Sequence, residues 1–199
     1  MNKKIAIIGA GGHGKVVGEI AVLNRYDSID FFDDKKNNIE KFPFKIIGNL
    51  EELRNCIKYY DFFFVAIGNN KIRCDIILWL KKEKKNIASL IHPKSTISQF
   101  SSIGIGSCVM ANAVINPGTF IKEGVIINTS SSIDHDCVIE DFAHISPNCS
   151  LSGNVRVGKF THLGTGTSVH PGIHIGHNVK TGIGSKVYRN ILDDKIFKD

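Results

Sequence analysis

Two hydrophobic periods divide the chain. Over residues 1–92, short apolar runs alternate with amphipathic stretches: KIAII, a helical pattern over residues 13–24, then SIDFF. Further on, NLEELRNCIKYY places Asn49 and Glu52 at the spacing of a capping box opening a helix. DFFFVAIG (61–68) is apolar almost throughout, as a strand covered on both faces must be. A helix over NKIRCDIILWLKKEKK and a closing strand IASLI (87–91) complete this half. Strands alternating with helices predict a parallel sheet with crossover helices. Roughly four strands are available, against six in a full doubly wound dinucleotide fold.

From Ile97 the period becomes six: IGIGSC, VMANAV, INPGTF and so on to residue 192. The first position of each hexad is Ile, Leu or Val, Thr181 excepted, and the fifth is mostly Ser, Thr, Ala or Val, with Cys137 and Cys149 also small. Six-residue repeats of this kind belong to β-helices. The prediction is a three-sided prism in which first positions point inward and fifth positions fill crowded corners. Three hexads make a coil, giving about five coils and a height of roughly 25 Å at ~4.8 Å per coil. The register is expected to run unbroken over 97–192, with domains at 1–92 and 93–199.

Composition narrows the class. The chain has 199 residues, 42% hydrophobic and 22% charged, which is ordinary for a soluble globular protein. GAGGHG interrupts the apolar run of MNKKIAII at once, and no stretch approaches the roughly 18 apolar residues of a membrane span. A cytoplasmic protein with no membrane partner is expected. Five cysteines with no C-x-x-C pair argue against a disulfide framework or a zinc knuckle. A net charge of +6 favours anionic ligands. The densest basic run, KKEKK (81–85), closes a predicted helix, where cations suit the dipole. Phosphorylated small molecules suit a mildly basic protein as well as nucleic acid does, and no nucleic-acid partner is expected.

The candidate chemistry falls in two places. Gly9, Gly11 and Gly14 form G-x-G-x-x-G between a strand and a helix, where backbone N–H groups can hold a pyrophosphate. Asp33 and Asp34 end the second strand about 20 residues on, where such folds bind ribose hydroxyls, and Gly68 follows the third strand. The missing second half of the sheet argues against NAD. In the repeats, His135 stands between Asp134 and Asp136. A carboxylate held against an imidazole fixes its tautomer and raises its basicity, which suits a general base. Cys137 beside it occupies a small fifth position and reads as corner packing. His144 and His162 are 18 residues apart and should stack one above the other. His170, His174 and His177 occupy different hexad positions and need not converge, so no metal site is predicted.

The glycine loop joined to this repeat resembles the PglD/NeuD-type acyltransferases: N-acetyltransferases of nucleotide-linked 4-amino sugars and related sialic acid O-acetyltransferases. GAGGHGKVV, FFDD, AIGNNKIR, LIHPKSTIS, INTSSSIDHDCVIEDFAHISP and LGTGTSV carry the resemblance, which covers nearly the whole chain. It implies an α/β half-Rossmann domain followed by a left-handed parallel β-helix, in a homotrimer with active sites between protomers. It implies acetyl-CoA as co-substrate and a UDP-linked 4-amino-4,6-dideoxy-N-acetylhexosamine as acceptor, in bacterial glycan biosynthesis. By the same resemblance His135 is the base, Asp136 raises its basicity and Asn128 positions the acetyl group. His144, Gly164, Thr165 and Ile183 would contact acetyl-CoA. Gly11, Gly12 and His13 would hold the diphosphate, with Asp33, Asp34 and Gly68 around the same ligand, a nucleotide sugar in place of NAD. A sialic acid or other sugar O-acetyltransferase, and a non-catalytic nucleotide-sugar-binding protein, are the alternatives. The tail VYRNILDDKIFKD lacks the Gly-x-Pro-Ala-Lys-like run those proteins usually carry after the last coil.

Overall fold

The computed structural model describes residues 3–34 and 43–198, in two compact units, Met1–Leu90 and Ile91–Asp199. In the first unit, β1 (Lys4–Ile8), β2 (Ser28–Phe32), β3 (Ile46–Gly48) and β4 (Phe62–Val65) form a parallel sheet in the order β3-β2-β1-β4. The central strands are apolar without alternation because both faces are covered: Ile5, Ala6, Ile7, Phe63 and Val65 are wholly buried. Helices α1 (Gly12–Leu23), α2 (Leu50–Cys56) and α3 (Asn70–Lys82) follow β1, β3 and β4. The capping box forms as read: Asn49 Oδ1 accepts from Glu52 N at 2.8 Å, and Glu52 Oε2 accepts from Asn49 N at 2.7 Å. Lys81 and Lys82 sit in the last turn of α3.

One strand differs from the expectation. IASLI adds no strand to this sheet: Ile87 makes a single bridge to Phe63, while Leu90–Ile91 is the first rung of the repeat region. The remaining sheet strand is β3, three residues long and too short to show a period.

The second unit is a hexapeptide left-handed β-helix. Its three parallel faces hold five, six and seven two-residue strands. Sixth and first hexad positions make each strand, and paired rungs lie one coil apart, as Ile127, Ile145 and Leu163 do. First positions from Val109 to Val187 line one continuous core, except Thr181. Thr181 Oγ1 accepts from Gly164 N at 2.8 Å and lies 2.8 Å from Thr167 Oγ1, which satisfies a hydroxyl at an aliphatic position.

Fifth positions are small for a further reason. Their hydroxyls link the coils: Thr161 Oγ1 donates to Gly176 O at 2.7 Å and accepts from Val179 N at 3.0 Å, and Ser107 and Thr119 repeat the pattern. Fourth positions from Gly106 to Gly184 take the left-handed conformation, with φ of 58° at Asn112, Asp136 and Asn148 and 59° at Asn154. Asn, Asp and Gly recur there because they tolerate it best.

The repeat also begins one hexad before Ile97, and its register breaks near the end. Ile191 pairs with Ile175, and Phe197 with Thr181, both 16 residues on rather than 18. Residues 187–190 therefore form a shortened segment of four. Side chains complete this coil's contacts: Asn190 Oδ1 accepts from His174 N and Asp193 Oδ1 from His177 N, each at 2.8 Å.

Candidate active site

The chain passes from the six-strand face (Ser132–Ile133) to the five-strand face (Val138–Ile139) and then to the seven-strand face (His144–Ile145). His135 and Asp136 form the turn at the first of these corners. His135 Nδ1 lies 2.8 Å from Asp136 Oδ2, with both side chains more than half exposed. Asp134 Oδ1 accepts from His135 N at 2.8 Å and from Asn116 Nδ2, one coil earlier, at 2.9 Å. Those two bonds hold the Asp134 carboxyl below the usual carboxylate range. The Asp136 hydrogen bond, seconded by the Asp134 charge, raises the imidazole's pKa. With Nδ1 engaged by a carboxylate, Nε2 is the nitrogen left to take a proton. Cys137 is buried, its Sγ 3.3 Å from Ser152 O, and burial pushes its thiol up; it packs the corner as read.

His144 and His162 stack on the seven-strand face, ring centroids 4.4 Å apart. His144 Nε2 lies 3.3 Å from Asn128 Nδ2, and Asn128 Oδ1 accepts from Thr129 N at 2.9 Å. Gly164 adjoins this face. Thr165 and Ile183 are exposed on successive coils at the corner between the seven- and six-strand faces, where Gly184 N donates to Thr165 O at 2.8 Å. In a three-sided prism the seven-strand face lies opposite the corner that carries His135. A single chain therefore brings Asn128 and His144 together, and His135 with Asp136, but not the two pairs with each other. Among the described residues, no group of three or more His, Cys, Asp and Glu side chains could hold a metal ion.

In the first unit a cavity of about 580 Å³ opens above the ends of β1, β2 and β4. Gly11, Gly12, His13, Asp33, Asp34 and Gly68 all line it, together with apolar Ile8, Phe32, Ile67 and Ile72. Gly14 lies beneath the loop, where a Cβ would overlap the Gly9 carbonyl oxygen; this lets α1 start hard against the turn. Asp33 Oδ2 accepts from Ala10 N at 2.6 Å, and Asp34 Oδ1 from Leu50 N at 2.9 Å, so both carboxylates brace the cavity's rim. Among the described residues, the buried Nε2 of His13 has no hydrogen-bond partner. Burial, with the nearby Arg73 charge, lowers its pKa to about 4.

Arg73 itself escaped the sequence reading. It is wholly buried, and its guanidinium donates to Ile67 O at 2.9 Å, Gly68 O at 3.3 Å and Asn70 Oδ1 at 2.8 Å. The loop after β4 is thus built on an arginine. Its spacing from Ile77 and Leu80, on the buried face of α3, was the available signal.

Fold and site together define a glycine-loop α/β unit followed by a hexapeptide-repeat β-helix with an exposed histidine–carboxylate pair. Residues 4–80 match the PglD N-terminal domain. The acetyltransferase domain of PglB from Neisseria gonorrhoeae FA1090, solved in complex with acetyl coenzyme A, is 40% identical; the match covers 100% of this chain and 97% of that one, with a TM-score of 0.94. PerB from Caulobacter crescentus, in complex with CoA and GDP-perosamine, is 30% identical, with 100% and 95% coverage and a TM-score of 0.93. The UDP-N-acetylbacillosamine N-acetyltransferase of Bacillus subtilis (strain 168) is 39% identical over 114 residues, 55% of this chain. That match spans about half (52%) of the relative's length. The chain belongs to the PglD/NeuD-type hexapeptide-repeat acetyltransferases.

Proposed function

We propose that this protein transfers acetyl from acetyl-CoA to the 4-amino group of a UDP-linked 4-amino-4,6-dideoxy-N-acetylhexosamine, in bacterial glycan biosynthesis, with His135 as general base. The hydrogen bond between His135 and Asp136, in solvent and with Nε2 left to act, is the observation that carries the reading. The amine nitrogen attacks the thioester carbonyl carbon while Nε2 removes its proton. The tetrahedral oxyanion then collapses, the C–S bond breaks, and the imidazolium returns the proton to the departing thiolate, leaving amide and CoA. No metal or NAD enters these steps.

Asn128, His144, Gly164, Thr165 and Ile183 are proposed for the acetyl-CoA side. Their separation across the prism from His135 supports sites assembled from two copies, as in a homotrimer. Gly11, Gly12, His13 and Gly68 are proposed for the nucleotide sugar, with Asp33 and Asp34 shaping the rim. A diphosphate oxygen would supply the partner that His13 Nε2 lacks.

The test is mass spectrometry of purified protein with acetyl-CoA and the UDP-4-amino sugar, beside a GDP-4-amino sugar. A product heavier by one acetyl group from the UDP substrate is expected. His135→Ala should lose roughly 10²–10⁴ in kcat while both ligands still bind. Turnover confined to the GDP substrate reverses the choice of nucleotide. Turnover retained in His135→Ala removes the base.

A further inference from the structure

The His135–Asp136 turn lies between two glycines, Gly118 one coil before Asp136 and Gly153 one coil after His135. A Cβ at Gly153 would stand 2.6 Å from both Cε1 and Nε2 of His135 and 3.2 Å from Cδ2, against the reactive edge of the ring. A Cβ at Gly118 would run into Asp136 Oδ1. Gly118 has φ +74°, so its turn already favours glycine. Gly153 has no such need: its φ is not in the left-handed region, and the same corner position on neighbouring coils is filled by Pro117, His135 and Pro171. What a side chain at 153 would meet is the imidazole.

We propose that Gly153 is a positioning residue for His135: its bare backbone is the seat that lets the ring lie where Nδ1 reaches Asp136, with Gly118 as the matching clearance for the carboxylate. The obstructing atoms are the far end of a side chain rather than backbone. A methyl group at 153 is therefore met by rotation of the ring, which breaks the 2.8 Å hydrogen bond, and not by rearrangement of the coil. The charged groups facing the imidazole are Asp134 and Asp136 of its own turn. The flanking coils present Asn116 and Gly118 on one side and Gly153 and Asn154 on the other, none of them ionisable. Any change in the titration of His135 on substitution at 153 therefore reports its contact with the two aspartates.

The seat is independent of any substrate; its catalytic consequence rests on the base role proposed above. The experiment is an NMR titration of the His135 ring in wild type, Gly153→Ala, Asp136→Asn and the double variant, with thermal melting alongside. In Gly153→Ala the ring should titrate at lower pH, as in Asp136→Asn. The double variant should go no lower, because both changes remove one and the same bond. Melting should be nearly unchanged. With substrate, kcat should fall about tenfold or more while both KM values hold, as when pre-organisation alone is lost. A titration identical to wild type, additive shifts in the double variant, or a Gly153→Ala protein that does not fold each overturns the proposal. A lowered titration with unchanged kcat keeps the seat and removes His135 as the base.

Discussion

The rings of His144 and His162 lie 4.4 Å apart and 11° from parallel, one coil above the other. Each points Nε2 at a polar side chain 16 residues earlier, Asn128 at 3.3 Å and Ser146 at 3.0 Å, so the two coils repeat one arrangement. The stack fixes the plane that His144 presents. Aromatic pairs contribute about 0.5–1.5 kcal/mol. On the proposed acetyl-CoA role of His144, His162→Ala should raise KM for acetyl-CoA about 2- to 10-fold and leave kcat largely unchanged. Steady-state kinetics at saturating sugar checks this; an unchanged KM would separate the stack from cofactor binding.

The pH profile follows from Asp136. A base must be neutral to act, and Asp136 raises the pKa of His135 above its ordinary value of 6.5. Wild-type kcat should therefore rise with pH through a point above 6.5. In Asp136→Asn that point should move to lower pH, and the plateau should fall because the imidazole is less basic. A pH–rate series on the two proteins decides it.

His13 links stability to acid. Its folded pKa of about 4 lies below the value of 6.5 it has when unfolded. Between those values the unfolded chain binds a proton that the folded protein refuses, so stability falls as pH drops through that window. The shift corresponds to roughly 3 kcal/mol at most. Melting temperatures measured from pH 7 to pH 4 should fall more steeply in wild type than in His13→Asn.

The buried hydroxyls of the prism make a sharper test of the coil links. Thr161→Val keeps the shape but strands Gly176 O and Val179 N, which share its Oγ1. The expected loss is about 1–3 kcal/mol, read as a lower midpoint in chemical denaturation. An unchanged midpoint would mean these hydroxyls only fill space.

The prism was legible from Val109 to Val187 because first and fifth positions obey separate physical demands, burial and a tight corner. The sheet of the first unit was legible at Ile5–Ile8 and Phe62–Val65 for the same reason, continuous burial. Local signals failed where tertiary context decides. Ile46–Gly48 carries too few residues to show alternation, and Leu90–Ile91 reads as a strand without saying which sheet it joins. The break at residues 187–190 leaves a local sign only at its far side, where the unbroken register would put Ile191 at a small fifth position and Asp193 at an aliphatic first one. At the candidate site, His135 and Asp136 stood out as neighbours in sequence. Arg73 did not, since an arginine on a buried helix face is recognisable only once the carbonyls of Ile67 and Gly68 are seen to meet it. Nor did Gly153, whose partner is 18 residues away.

The shortened segment at residues 187–190 bears on self-association. An open row of backbone N–H groups at a sheet's edge invites a strand from another molecule. On the five-strand face, the N–H groups of His174 and His177 are taken by the side chains of Asn190 and Asp193, and that of Gly176 by Ile191 O. At that rim these donors are already spent on the chain's own last segment, which stands where a strand from a second copy would otherwise pair with them.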